Sequence, residues 1–579
     1  MLKATKLFRM SFVLGSLSLL FLYYGCEANG EKSFYVQEFG AIGDGQADDG
    51  PALRKVFEMA SAFDGASTIY FETEKTYYIA PYATANGRLM LKKAANVTVE
   101  GRNVTILVHT PNRALGIYRS SDIVVRDLQI DYRPLPFTQG TITYIDNNRS
   151  TLEFKPHAGY ADPVVGDSTL YKDGRNEDSV AFNHQNRKFY NTHVRISGVK
   201  ALDDGRFRVS YRGRRFSDVR VGDYFAMKHR WGPREGLRYA GSDCLARKDE
   251  FISTADSSIE VAHSKRVLLE NIRSYAAPGM TLLGRGCHEL IVRGLRIQRR
   301  GDRLVAGNSD GIHLKCNESP PIIEDCYIEG TMDDAIHIKI SGDWIKEVAS
   351  PRRVRIEHMD IIRDNTNLAE GKRVMVYDHE NERELATAEI LGYEPIDYRN
   401  GWVTLDQDIP DMSEGNSLYL EAEGVAVIKN CQFETQLQRA ILTHQPTNIQ
   451  GCQFRDTGQG VVMEFSKYWI IEGPPSQRLW IENCTFENLT LRAVSVFCPS
   501  HDYDQKGDPQ FICTNSTFRL SEGVPAFKVV NSKGVSLSGN RFYYTGKKPN
   551  RDEYIILDNS PLRKYKNNLF IESKGVEAD

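Results

Sequence analysis

A seven-residue phrase occurs twice in this chain, first from Ser309 to Lys315 and again from Asp333 to Lys339. In both copies an aspartate stands three residues before a histidine, and the second copy follows the first by 24 residues. A repeat of this length built on a short β pattern is typical of a solenoid in which each repeat forms one coil. Equivalent residues of adjacent coils then lie about 4.8 Å apart, the distance between paired strands. The repeat therefore predicts that Asp310 lies beside Asp334, with Asp333 next to both.

Hydrophobic residues alternate with His and Lys in both copies of the phrase. On a β-strand this alternation places one set of side chains in the core and the other on the outer face. The predicted core set is Ile312, Leu314, Ile336 and Ile338. The outer set is His313, Lys315, His337 and Lys339. Because stacked like charges are unfavourable, we interpret the outer set as the substrate-binding lining of a groove; the alternative is a solvated face whose lysines neutralise structural aspartates.

Two later segments extend this groove. Arg439 to His444 and Gly460 to Glu464 both align with the repeated phrase. The alignment places His444 and Glu464 level with the lysine of each copy. We expect both side chains to bind substrate, and for each taken alone the alternative is a solvated surface residue.

Coils like these continue through most of the chain as short β runs separated by Gly, Asn and Asp, and their rhythm breaks twice. Residues 34–62, with a helix at 51–62, resemble the capped start of pectin-lyase-like right-handed β-helices. We predict an all-β fold, a right-handed parallel β-helix with two inserted small β-barrels. The predicted segments are a signal peptide at 1–26, a cap and first coils at 27–132, barrel 1 at 133–228, coils with the three aspartates at 229–344, barrel 2 at 345–423, and C-terminal coils at 424–579.

The N-terminus has the pattern of an export signal, with Lys3, Lys6 and Arg9 ahead of a short apolar run. Gly25-Cys26 resembles a lipoprotein processing site at which the cysteine is lipidated, and simple secretion is the alternative. We therefore expect an exported protein, periplasmic or held at the outer membrane of a bacterium by a lipid on Cys26. No other segment is expected to span a membrane. The net charge of −3 and the lack of a basic run argue against nucleic-acid binding.

Cysteine recurs at one place in the coil phrase, and this spacing argues against disulfides in spite of the ten cysteines present. The recurring residues are Cys326, Cys431, Cys452 and Cys484. We predict that they stack as a buried ladder of free thiols, which behave as small hydrophobic groups. A zinc site is not expected, because no CxxC motif occurs.

The three aspartates predict chemistry at a glycosidic bond. One carboxylic acid must protonate the leaving oxygen, and one or two carboxylates must activate water or attack the anomeric carbon. Asp333, with two anionic neighbours that raise its pKa, is the predicted acid. Asp310 and Asp334 are the predicted pair that polarises a water, and no cofactor is needed. The alternatives are a Ca²⁺-dependent polysaccharide lyase with Lys315 or Lys339 as base, and a sugar-binding solenoid without catalysis.

The aspartate pattern is similar to that of the polygalacturonases of glycoside hydrolase family 28, although their further His-containing and Arg-x-Lys motifs are not evident here. The motifs Asn308-Ser-Asp-Gly-Ile-His and Met332-Asp-Asp-Ala-Ile-His more closely resemble glycoside hydrolase family 110, the bacterial α-1,3-galactosidases. That resemblance covers nearly the whole chain after the signal. It implies a β-helix with two inserted barrels and an inverting exo-enzyme that removes terminal α-1,3-linked galactose from oligosaccharides or glycoconjugates. Blood group B structures are implied substrates. Whether linear Galα1-3Gal is also accepted depends on loops that the pattern does not place, with Trp231 and Arg234 as candidates.

Overall fold

The computed structural model describes residues 30–81, 88–110, 112–163, 178–213, 216–228, 257–358, 368–397, 399–421, 424–465, 472–474, 478–499, 510–544 and 549–572. The predicted signal peptide with Cys26, and the candidates Trp231 and Arg234, lie outside these residues. Of the helices in the described part, none is long and apolar enough to cross a bilayer.

Parallel strands from successive coils form two large sheets. One sheet has eleven strands among the described residues, each from a different coil, and it includes both copies of the repeated phrase. We call it the site sheet. Its strands are Met90–Lys92, Leu115–Tyr118, Ser257–Ala262, Met280–Arg285, Ile312–Lys315, Ile336–Lys339, Arg439–Thr443, Gln459–Met463, Arg492–Phe497, Phe527–Val530 and Ile555–Asp558.

The second sheet has 24 strands and provides the remaining walls of the coils. Its strands are Lys32–Tyr35, Asp44–Asp48, Ser67–Tyr70, Thr76–Ile79, Ala95–Val108, Ser121–Tyr132, Lys265–Glu270, Arg273–Ser274, His288–Arg293, Arg296–Ile297, Ile322–Glu324, Tyr327–Glu329, Ala426–Lys429, Gln432–Glu434, Thr447–Gln450, Gln453–Arg455, Leu479–Glu482, Thr485–Glu487, Phe511–Thr514, Thr517–Arg519, Val535–Ser538, Arg541–Tyr544, Leu562–Lys566 and Leu569–Glu572.

Helices are short and lie at the ends of the solenoid. A 3-10 helix spans Val36–Phe39, and an α-helix spans Gly50–Ala62. The apolar face of that α-helix, which carries Leu53, Val56 and Phe57, is buried in the main core. A last helical turn at Arg551–Tyr554 precedes the final strand of the site sheet.

Two closed antiparallel barrels of six strands interrupt the coils. The first is built from Phe137–Asp146, Thr151–Pro156, Asp178–Phe182, Phe189–Ala201, Phe207–Gly213 and Tyr224–Lys228. The second is built from Gly342–Ser350, Arg353–His358, Arg373–Asp378, Arg383–Pro395, Asn400–Leu405 and Ser417–Leu420. Each barrel has its own apolar core. The predicted fold class, a parallel β-helix with two inserted barrels, is confirmed.

Side chains that repeat along the chain stack along the solenoid axis. Neighbouring phenylalanine rings lie with centroids 4.5–5.0 Å apart in the series Phe433, Phe454, Phe486, Phe518, Phe542 and Phe570. The eight cysteines among the described residues are all buried thiols outside any disulfide. The amide of Cys431 donates to Cys452 Sγ at 3.4 Å, and the amide of Cys452 donates to Cys484 Sγ at 3.4 Å. These contacts confirm the predicted thiol ladder.

The first barrel is anchored to the segment that leads into the first phrase. Gln139 accepts a hydrogen bond from the amide of Leu304 at 2.8 Å and donates to the carbonyl of Asp302 at 3.0 Å. The side-chain amide of Asn308 donates to the carbonyl of Pro136 at 2.6 Å. Asn308, two residues before Asp310, is therefore held by the residue that precedes the first strand of this barrel.

Candidate active site

The three predicted aspartates meet at one end of adjacent strands of the site sheet. The strands Ile312–Lys315 and Ile336–Lys339 pair in parallel, with His313 opposite His337 and Lys315 opposite Lys339, as the repeat predicted. One carboxylate oxygen each from Asp310, Asp333 and Asp334 lies within 4.8 Å of the others. The amide of Asp334 also donates to Asp310 Oδ1 at 3.2 Å. The parallel register therefore builds an acidic cluster from residues 24 positions apart.

Gly311 allows the two coils to approach closely behind this cluster. A Cβ at this position would lie 2.6 Å from the carbonyl oxygen of Ala335. The amide of Gly311 donates to the carbonyl of Asp334 at 2.9 Å. A larger residue would push the first aspartate away from the other two.

Asp310 lies between two histidines and is buried. The Nδ1–H of His313 donates to Asp310 Oδ2 at 2.5 Å, and Nδ1 of His337 lies 3.8 Å from the same oxygen. Burial acts to raise the pKa of Asp310, but the contacts with the two imidazoles outweigh it and hold that pKa well below its usual range. Asp310 is therefore a carboxylate at neutral pH.

Asp333 has the opposite electrostatic environment. Burial, and then the negative charges of Asp310 and Asp334, raise its pKa well above the usual value. Lys228, at the end of the first barrel, and Arg439 act weakly in the other direction. The backbone of Asp333 is held by a hydrogen bond from the Thr331 hydroxyl to its carbonyl at 3.1 Å. The half-buried Asp333 side chain is thus suited to carry a proton and donate it.

Asp334 has a cationic partner that was not predicted from the sequence. Arg439 Nε donates to Asp334 Oδ1 at 2.7 Å, and its Nη1 donates to Glu464 Oε1 at 3.1 Å. Burial raises the pKa of Asp334, and the guanidinium opposes that shift. The register that aligned His444 with Lys339 also places Arg439 beside Asp334, so this residue could have been found from the same alignment.

The outer-face residues are largely enclosed. His313, His337, Lys339 and His444 are each less than a tenth exposed, whereas Lys315 and Glu464 are half-buried. The alternative of a solvated face therefore does not fit the first four. Their position on the outer face of the strands is as predicted, but neighbouring segments cover them.

One covering segment crosses the sheet at residues 472–474. Glu472 Oε2 lies 3.1 Å from His337 Nε2. A Cβ on Gly473, whose φ is +135°, would lie 2.4 Å from the Cβ of His444, so the segment passes directly over that ring. Burial lowers the pKa of His444 well below its usual value, and neither of its ring nitrogens has a hydrogen-bond partner among the described residues. Sequence reasoning missed Glu472 because it lies outside the coil phrase.

Among the described residues, three groups of side chains could geometrically hold a cation. The first is Asp310, Asp333 and Asp334, the second is His337, His444 and Glu472, and the third is Asp310, His313 and His337, each with donor atoms within 4.8 Å. Ca²⁺ takes six to eight oxygen ligands, and in the first group the guanidinium of Arg439 and the imidazole of His313 already contact two of the three carboxylates. This arrangement fits acid–base chemistry better than the Ca²⁺ site of the lyase alternative.

No protein-family model matches the chain. Curated relatives do match over most of its length. Alpha-1,3-galactosidase B of Bacteroides thetaiotaomicron is 20% identical over 520 residues, which is 81% of this chain and 77% of the relative. Alpha-1,3-galactosidase A of Bacteroides fragilis is 21% identical over 573 residues, covering 91% and 90%. The chain is similar to bacterial alpha-1,3-galactosidases. The resemblance seen in the sequence is thereby confirmed, and these relatives support a glycoside hydrolase of galactosidase type.

Solved structures with similar folds include an exopolygalacturonase from Thermotoga maritima, with a TM-score of 0.42 at 10% identity, covering 92% of this chain and 91% of that one. The tailspike protein of Escherichia coli bacteriophage HK620, in complex with a pentasaccharide, has a TM-score of 0.42 at 8% identity, covering 93% and 66%.

Proposed function

We propose that the protein is an exo-acting α-1,3-galactosidase that releases terminal α-1,3-linked galactose from glycans. The observation that carries the proposal is the meeting of Asp310, Asp333 and Asp334 within 4.8 Å at the ends of two repeated strands. The names and broad coverage of the curated relatives support the sugar and the linkage. The branched blood group B structure and linear Galα1-3Gal are the proposed substrates.

The three carboxylates divide the work by their protonation states. Asp333, whose pKa is raised by burial and by two carboxylate neighbours, is the proposed acid that protonates the leaving oxygen. Asp310 is held ionised by His313 and His337. Asp334 is paired with Arg439. We assign this pair to polarising the attacking water.

The separation of the carboxylates bears on stereochemistry. Inverting enzymes usually keep acid and base about 6.5–9.5 Å apart. The closest oxygens here lie within 4.8 Å, because two of the aspartates are consecutive and the third is one coil away. A single water can bridge oxygens up to about 5.5 Å apart by two hydrogen bonds, so Asp310 and Asp334 can share it. Inversion is included in the proposal because the family resemblance implies it, and the short separation does not itself favour it.

The enclosed end of the groove supports exo action. Glu472 and Gly473 lie against His337 and His444 and cover this part of the outer face, and we propose that this covering blocks the path of a longer glycan chain. His444 presents ring nitrogens without partners among the described residues. This ring is 1% exposed beneath Gly473, so a contact between His444 and the hydroxyl groups of a terminal sugar requires the segment at 472–474 to shift. We propose that contact as the role of His444.

The decisive experiment measures galactose release from a panel of terminal α-galactosides, branched and linear, by the wild-type protein and by D333N. We expect release from α-1,3-linked substrates that survives EDTA and gives no ultraviolet-absorbing unsaturated product. Action on polygalacturonate instead would indicate a polygalacturonase-like hydrolase. A chelator-sensitive reaction with an unsaturated product would indicate a lyase, and binding without turnover would indicate a sugar-binding solenoid.

A further inference from the structure

His313 and His337 both face Asp310, but of the two only His337 has a second carboxylate in contact with it among the described residues. Its Nε2 lies 3.1 Å from Glu472 Oε2, and its Nδ1 lies 3.8 Å from Asp310 Oδ2. The two imidazole rings lie with centroids 4.6 Å apart. Two imidazolium ions at that distance would repel each other, which disfavours the state in which both rings are protonated.

The charges around the pair decide which ring carries the proton. Burial acts to lower the pKa of His337, but Asp310 and Glu472 outweigh it and raise the pKa to about 9. For His313, burial dominates over its hydrogen bond to Asp310, and together with the positive charge of His337 it lowers the pKa to about 4. At neutral pH, Asp310 therefore faces one cationic ring and one neutral ring.

We propose that Glu472 is a positioning residue whose carboxylate fixes the ring of His337 between itself and Asp310, with one carboxylate at each ring nitrogen. This inference rests on the proposed function, in which ionised Asp310 polarises the attacking water. A doubly protonated ring is a donor at both nitrogens, so it keeps Asp310 anionic and in place. A neutral ring protonated only on the Glu472 side would direct a lone pair at Asp310 instead.

Other charged groups face His337, and they do not replace Glu472. The ring of His444 lies 5.7 Å away between centroids, and burial holds it neutral. Lys339 adds positive charge near the cluster, which lowers the pKa values of His313, His444 and Glu472. Glu472 itself stays ionised, because its contact with His337 and the charge of Lys339 outweigh the effect of burial. Asp310 and Glu472 are the carboxylates closest to its ring nitrogens among the described residues, and the charge of Asp334, which also interacts with His337, is paired with Arg439.

The prediction is a shift of the alkaline limb of the pH–rate profile. His337 holds Asp310 anionic and in place only while its ring is protonated, so activity is retained below pH values near 9 and lost above them. In E472Q one of the two carboxylates is removed, and the pKa of His337 falls by roughly 1–3 units. The alkaline limb of kcat/KM should move to lower pH by the same amount.

The test uses an activated aryl α-galactoside, whose aryl leaving group departs with little help from the acid Asp333. The alkaline limb of its pH–rate profile therefore reports Asp310 and its partners. E472D keeps the charge and should return the limb towards that of the wild type. E482Q is the matched control, because Glu482 lies on the 24-stranded sheet in the strand Leu479–Glu482, away from the site sheet. Its profile should be unchanged.

A second measurement does not depend on turnover. In protein labelled with ¹³C-histidine, the imidazole signal of His337, assigned by its loss in H337Q, should titrate near pH 9 in the wild type and lower in E472Q. A uniform loss of rate at every pH, with an unshifted His337 titration, would overturn the proposal. If the wild type releases no galactose, the proposed function fails, while the titration still tests the pairing of Glu472 with His337.

Discussion

Arg439 Nε donates to Asp334 Oδ1 at 2.7 Å across adjacent strands of the site sheet, while its Nη1 reaches Glu464 Oε1 at 3.1 Å. Asp334 is 2% exposed and Arg439 is 22% exposed as side chains. The pair is thus largely removed from water, and the guanidinium opposes the rise in pKa that burial imposes on Asp334.

Replacing Arg439 by Gln should destabilise the protein and slow hydrolysis. Loss of one partner from a buried ion pair costs about 3–5 kcal/mol, and the partial exposure of Arg439 places the expected loss at the lower end. R455Q is the control, because Arg455 is exposed and its partner Glu434 is about a third exposed, and pairs near the surface contribute up to about 1 kcal/mol. Urea unfolding of both variants measures the difference. Equal losses would show that Arg439 does not hold a buried charge.

Replacing Asp333 by Asn should abolish action on natural galactosides, because their leaving alcohol needs a proton. General acid help is worth roughly 10²–10⁴-fold. An activated aryl galactoside should retain more of its rate, since its leaving group departs with little protonation. Steady-state kinetics on the two substrates gives the ratio. Losses of equal size on both would place the acid on another residue.

Replacing Asp310 or Asp334 by Asn should slow hydrolysis of both substrates by the same factor, since water must be activated whatever group leaves. Steady-state kinetics on the two substrates measures this.

Proton NMR of the first-formed sugar from the wild type gives the stereochemistry. β-Galactose fits the proposed inversion. α-Galactose would mean retention with a nucleophile among the three aspartates, in line with their short separation.

The pH profiles of the wild type should differ between the two substrates. A natural galactoside needs Asp333 protonated, so its rate falls as the pH rises through the raised pKa of that carboxyl. The aryl galactoside needs mainly ionised Asp310, so it should keep its rate until the pKa of His337, about 9, is passed. Profiles of kcat/KM that coincide over the alkaline range would contradict the separate roles of these groups.

Cys326, Cys431, Cys452 and Cys484 should all react with a thiol reagent in denatured, unreduced protein. The variant C452S should fold with little loss of stability, because a serine already occupies the equivalent position in a later coil. There the hydroxyl of Ser516 accepts a hydrogen bond from the amide of Cys484 at 3.1 Å. Thermal unfolding measures the effect. Finding these four thiols blocked as disulfides would refute the ladder in solution.

The sequence by itself determined the coil architecture and the meeting of the three aspartates. A parallel solenoid repeats one backbone geometry, so residues at the same place in successive phrases must stack. That rule placed Asp310 beside Asp334, His313 beside His337, and the cysteines in a line. The same rule could also have identified the partner of Asp334, since Arg439 begins the next aligned strand.

The tertiary structure alone decided how enclosed the site is and which groups are charged within it. Glu472 and Gly473 belong to a segment outside the coil pattern, and Lys228 ends a strand of the inserted first barrel, so no periodicity could place them over the site sheet. Because such segments pack over the sheet, outer-face positions such as His337 and His444 are buried rather than exposed. Burial and the new neighbours then set the protonation of each group, because the pKa of an ionisable side chain depends on desolvation and on charges brought close by folding.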